Sequence, residues 1–90
     1  VKLKWIYDTY EFAGIGRIKP VAELYSERMG IRVALVVRAD DWPETDYNVH
    51  VREFRGHFNE WNKTPVQVQG TLLDAQATAM ALVKLDDNIF

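Results

Sequence analysis

Residues 68–87 read VQGTLLDAQATAMALVKLDD, and this stretch decides the fold because all its local signals point to a helix. Thr71 follows Gly70 and precedes an apolar-periodic run, with Asp74 three residues on. Thr71 can therefore accept from a first-turn amide while Asp74 sits against the positive end of the helix dipole. At 100 degrees per residue, Leu72, Ala75, Ala79, Leu82 and Val83 fall on one face, with Leu73 and Met80 at its edge. Asp74, Thr78, Lys84 and Leu85 lie toward the other. The alanines in the middle of the stripe let the helix backbone approach a flat partner closely, so the helix is expected to lie on a sheet.

Upstream, the apolar residues change period. Leu3, Trp5 and Tyr7 alternate with Lys2, Lys4 and Ile6 as in a strand, and a second short run follows at Tyr10–Phe12. Ile31–Arg38 alternates more clearly, predicting Ile31, Val33, Leu35 and Val37 on one face and Arg32, Ala34, Val36 and Arg38 on the other. Tyr47–Phe54 repeats the pattern and should pair with it as an antiparallel hairpin. Gly56 ends that run, residues 57–64 read as a polar-aromatic connection, and Pro65–Gln69 reads as a last short strand. Between the first strands, Pro20 stands at a plausible first helical position, Val21, Leu24, Tyr25 and Met29 follow at helix spacing, and Gly30 is a stop signal. This predicts a short helix at about 20–29, with a strand at 17–25 as the competing assignment. The expected fold class is α+β, an antiparallel β-sheet of three to four strands with the C-terminal helix packed on one face.

Ninety residues make one domain, 1–90, with a thin stability margin. A composition of 27% charged and 48% hydrophobic residues is that of a globular chain, and no apolar run approaches the ~18 residues of a membrane span. With no cysteine there is neither a disulfide framework nor thiolate chemistry. The opening Val-Lys-Leu-Lys-Trp lacks the apolar core of a signal peptide. Together these features predict a soluble, cytoplasmic protein that does not enter a membrane.

Charge is unevenly spread. Residues 1–38 carry seven basic groups against four acids, whereas Asp40, Asp41, Glu44 and Asp46 follow with no base among them. This excludes a general polyanion binder and leaves two local surfaces. One is the loop Asp40-Asp41-Trp42-Pro43-Glu44-Thr45-Asp46. A Trp beside a proline among four carboxylates suits a protein-interaction hot spot, since Trp supplies contact area and the acids steer a basic partner. Its spacing is not that of a calcium loop, which needs acids at alternate positions and a central glycine. The other surface is the sheet face expected to display Arg32, Arg38, His50, Arg52 and Phe54, joined by Gln67 and Gln69 if the last strand enters the sheet. It could receive a phosphate backbone or an acidic partner, with Phe54 stacking on a base.

Catalytic residues are few. Gly14-Ile15-Gly16 lacks the third glycine of a dinucleotide loop, and Ser26 stands in no nucleophile motif. His50 and His57, with Glu53 and Glu60 as an acid–base pair, are the only basis for a small hydrolase. No cofactor and no metal site is expected.

Three resemblances attach to particular stretches. The passage Val68-Gln69-Gly70-Thr71-Leu72-Leu73-Asp74-Ala75 resembles the Gly-x-Thr-Leu-x-x-Ala junction of HicB-type antitoxins, which implies a module that binds a protein and does no chemistry. The order helix, three strands, helix over residues 20–86 resembles the double-stranded RNA-binding domain. That family docks phosphates with lysines at the start of its last helix, where this chain has Thr71-Leu72-Leu73-Asp74 and no lysine before Lys84. The C-terminal Asp86-Asp87-Asn88-Ile89-Phe90 resembles the docking tip of bacterial single-stranded-DNA-binding proteins. The leading expectation is a small non-enzymatic binding or regulatory module with a protein partner, met through the Trp42 loop or the basic face. Nucleic acid on that face is the alternative, and a homodimer is a further option.

Overall fold

A computed structural model describes residues 3–7, 18–39, 41–55, 58–61 and 65–84, with backbone alone at 18–19, 54–55 and 58–60. Among the described residues six strands precede one helix: β1 Leu3–Ile6, β2 Ile18–Ser26, β3 Ile31–Ala39, β4 Asp46–Arg55, β5 Phe58–Trp61, β6 Val66–Gln69 and α1 Leu72–Lys84. Every strand pairing is antiparallel. The sheet runs β1-β2-β3-β4-β5, and β6 also pairs with β4. Since β3 occupies one edge of β4, β6 and β5 follow one another along the other: β6 pairs with residues 46–49 and β5 with 52–55. The architecture is α+β as expected, but the sheet is five strands across instead of three to four.

The helix forms as its sequence predicts. The Asp74 amide donates to Thr71 Oγ1 (3.2 Å), while the Thr71 amide (2.8 Å) and hydroxyl (3.1 Å) donate to Asp74 Oδ2. This reciprocal cap satisfies first-turn donors that would otherwise be orphaned. Ala75, Ala79 and Val83 are fully buried, and α1 packs on β3, β4 and β6. Burying Val83 alone contributes on the order of 2 kcal/mol. Leu73, predicted at the edge of the stripe, is 76% exposed.

Besides residues 58–61, which form β5 where a connection is expected, two expectations need correction. The helix at 20–29 is a strand, β2, with a turn at 27–30. Pro20 fits because it lies beyond the last β1 partner, Glu23, and beside a register shift between Pro20 and Ala22, where a missing N–H breaks no ladder bond. Gly30 does adopt the left-handed conformation of a stop, with φ 69°, but it closes the β2–β3 hairpin, its amide donating to the Ser26 carbonyl at 2.8 Å.

The second correction concerns the faces of β3. Cross-strand partners share a face, and the register pairs Ala34 with Val51, Val36 with Val49, Leu24 with Ala34 and Ala22 with Val36. These residues meet Ala75, Ala79 and Val83 in one core, with Tyr47, Ile31 and Val51 packed against it. Val33 joins them because β3 is irregular opposite Leu24 and Tyr25. Leu35 and Val37, expected under the helix, lie on the opposite face yet are only 2% exposed. Residues 33–37 are therefore buried on both faces, and an apolar run buried on both sides carries no alternation that could set its phase.

Candidate functional site

The Trp42 loop is built from two consecutive turns. The Trp42 amide donates to the Ala39 carbonyl (3.1 Å) and the Asp46 amide to the Pro43 carbonyl (2.9 Å). Arg38 fastens them from the helix side: its Nη2 donates to the carbonyls of Trp42 (2.8 Å) and Pro43 (3.2 Å), and its guanidinium lies 5.9 Å from the Tyr47 ring. Alternation from Val36 puts Arg38 on the helix side of β3. It is thus a loop anchor, not part of the basic face where it was expected. The Gly70 amide donates to the Thr45 carbonyl (2.8 Å), tying the loop to the entry of α1.

Beside this loop opens a groove of about 300 Å³. Trp42 and Pro43 form one wall, Asp46, Tyr47 and Asn48 come from β4, and Gln67, Val68 and Gln69 from β6. The register places Asp46 opposite Gln69 and Asn48 opposite Gln67, so these four side chains form a polar block on the face away from α1. Trp42 is half-buried and lines this groove instead of joining the helix-side core. Asp41 and Glu44 are exposed on the same loop. Of the five loop residues expected to bind a partner, Trp42 and Asp46 line the groove, Asp41 and Glu44 flank it in the chain, and Asp40 lies outside the described residues.

The basic face is organised differently. Arg32, His50 and Arg52 do share the side away from the helix, whereas the side chain of Phe54 lies outside the described residues. The arginines are held within the protein. Arg32 Nε is 2.9 Å from Oε1 of Glu23, whose side chain is 1% exposed. Arg52 Nε donates to the Arg32 carbonyl (2.9 Å), and its guanidinium lies 4.2 Å from the Trp61 ring centroid, its partner across β4 and β5. Burial lowers the pKa of Arg52 because removing water disfavours the charged form. Such contacts leave the guanidinium less to offer a phosphate than a solvated arginine has.

For the hydrolase expectation, the register sets Glu53 opposite Glu60, but the Glu60 side chain and all of His57 lie outside the described residues. Among the described residues no group of three His, Cys, Asp or Glu side chains could hold a metal ion, and no helix is long and apolar enough to cross a membrane.

Sequence reasoning missed Asn48, Gln67 and Gln69 as lining of a groove beside Trp42, and missed Trp61 altogether. A strand at 58–61 would have exposed the second: pairing Arg55 with Phe58 puts Arg52 opposite Trp61 by counting alone. The first needed the β4–β6 pairing. No family model, no curated protein and no solved structure matches the chain, so the groove is read from its own chemistry.

Proposed function

We propose that the chain is a non-enzymatic binding module that engages a protein partner through the groove between the Trp42 loop and β6. The observation that carries this reading is the groove itself, where a half-buried Trp ring and the Asp46 carboxylate line one concavity on a loop pinned by Arg38. A pre-ordered aromatic beside a few directional polar groups binds at low entropic cost. The contacts of Arg32 and Arg52 with Glu23 and Trp61 favour a protein over nucleic acid.

Affinity capture with mass spectrometry tests the proposal. Wild type, Trp42→Ala and Arg52→Glu baits are compared at a temperature at which melting curves show all three to be folded. Loss of one prey protein with Trp42→Ala and its retention with Arg52→Glu is the expected result. Binding of nucleic acid that weakens steeply with salt and vanishes with Arg52→Glu, while Trp42→Ala leaves it intact, overturns it.

A further inference from the structure

The groove is bordered by a sheet edge, and the hydrogen bonds show which backbone groups that edge presents. Gly70 and Thr45 form a hydrogen-bonded pair, so in an antiparallel ladder the pairs Tyr47–Val68 and Val49–Val66 are hydrogen-bonded too. The intervening residues Gln67 and Gln69 therefore turn their N–H and C=O away from β4. Among the described residues nothing pairs with that edge, and both glutamine side chains are exposed. Outward backbone groups of this kind are a template for another strand.

We infer that the groove takes an extended basic peptide segment, which adds to the sheet as an antiparallel strand along β6 and places Lys or Arg side chains against Trp42 and Asp46. The inference rests on the protein-binding reading of the groove and names the partner's chemistry. A strand that bonds to Gln67 and Gln69 sets the residues facing them on the same side as Gln67, Gln69, Asp46 and Asn48, that is, over the groove, because side chains alternate along a strand. Residues i and i+2 of the segment point in, and the residue between them points away. What meets them is a carboxylate and an aromatic ring. The molecule already shows the ring half of that combination filled elsewhere, since Arg52 lies 4.2 Å from the Trp61 ring. Among the described residues no cation lies against the Trp42 ring, since Arg38 is turned to the loop carbonyls, and Glu44 adds an exposed carboxylate on the same loop. An incoming ammonium or guanidinium gains both the ring and the charge. A second copy of the chain fits less well, because β6 against β6 would bring Gln67 and Gln69 onto their own equivalents and leave Asp46 without a cation.

The test is a titration of the isotope-labelled full chain, followed by amide and indole NMR shifts, with a synthetic capped heptapeptide of sequence threonine-lysine-valine-lysine-valine-lysine-threonine. Its lysines can all face the groove, so their N–H groups face β6, while the valine N–H groups face solvent. Expected are shifts at the Gln67 and Gln69 amides and the Trp42 indole, affinity lost about tenfold or more on N-methylating the lysines, and affinity kept on N-methylating the valines. Replacing the lysines with glutamates should abolish the shifts, and Trp42→Ala should weaken binding by about tenfold. If both N-methylated peptides bind like the parent while Trp42→Ala still weakens binding, strand addition is wrong and the groove reading stands. Equal binding of the glutamate peptide overturns the basic chemistry alone. Shifts that spare Gln67, Gln69 and Trp42 together overturn both readings, and a concentration-dependent dimer that excludes the peptide assigns the edge to a second copy instead.

Discussion

The two ends of β4 carry the same kinds of residue in different states. Toward its C-terminal end, Arg52 lies against Trp61 and donates to the Arg32 carbonyl, while Arg32 reaches the buried Glu23. Toward its N-terminal end, Trp42 stands beside Asp46 and Asn48 over an open groove. Both clusters contain a tryptophan, and both lie on the face away from α1. At one end aromatic, cation and carboxylate are partnered within the chain, whereas at the other the Trp42 ring and the Asp46 carboxylate line a groove while the neighbouring cation, Arg38, is turned to the loop carbonyls and the Tyr47 ring. A satisfied cluster contributes to stability, and an open one of the same chemistry is available to a ligand.

The largest expected effect belongs to the closed end. Arg32→Ala removes the cation 2.9 Å from Glu23, a side chain only 1% exposed. Losing one member of such a pair costs about 3 kcal/mol, the low end of the range for buried pairs because Arg32 keeps some exposure. Urea denaturation measures it, and a change below about 1 kcal/mol would mean that the closed end behaves like an ordinary surface pair.

The two tryptophans give the sharpest contrast. Trp61→Ala should destabilise by about 2 kcal/mol, through lost packing and the lost cation–π contact. Trp42→Ala should cost less, about 1 kcal/mol or below, because the half-buried ring lines a groove and has no cation from the described residues stacked on it. Thermal melts of both variants decide the matter: equal losses would make Trp42 a structural residue and erase the distinction between the two ends.

How far this contrast could be foreseen depends on the residues involved. The helix was legible to its first turn, because Thr71, Asp74 and the Ala75, Ala79, Val83 stripe depend only on neighbours three or four positions away. The strand β2 was not. Its Val21, Leu24 and Tyr25 spacing imitates a helix, since Leu24 and Glu23 are buried on opposite faces and a bulge beside Pro20 disturbs the period. In β3, burial on both faces hid which side would meet α1, so Leu35, Val37 and Arg38 were assigned to the wrong sides. Trp42 and Asp46 stood out in the sequence by composition. Gln67 and Gln69 did not, because they become part of the same site only when β6 lies along β4.

A smaller effect lies where the open end joins the helix. Gly70 has φ +148°, and a Cβ there would collide with the Asp74 carboxylate, the group that accepts from Thr71. Gly70→Ala should therefore cost about 1–2 kcal/mol through backbone strain and also disturb the Gly70–Thr45 bond that holds β6 to the loop. Peptide affinity at the groove should fall with it, while the Arg52–Trp61 contact, monitored by Trp61 fluorescence in a Trp5→Phe, Trp42→Phe background, stays unchanged. A simultaneous change at both ends would show that they are not separable.

The smallest effect is one of pH. The Asp74 pKa is lowered from 3.8, first by the Thr71 backbone hydrogen bond and then by the Thr71 hydroxyl. A carboxylate with a folded-state pKa below its unfolded value stabilises the fold above the unfolded value, and that contribution is lost as pH falls through the folded one. The cap therefore loosens as pH drops below 3.8, and with it the helix start that follows β6. Thr71→Ala should cost about 1 kcal/mol at neutral pH. Removing the hydroxyl also removes one of the two causes of the shift, so the variant should lose less stability on acidification than wild type. Parallel urea titrations at pH 6 and pH 3 read that difference directly. If the two proteins lose the same amount, the acid sensitivity of this seam belongs to other carboxylates, and the open end does not depend on the cap for its position.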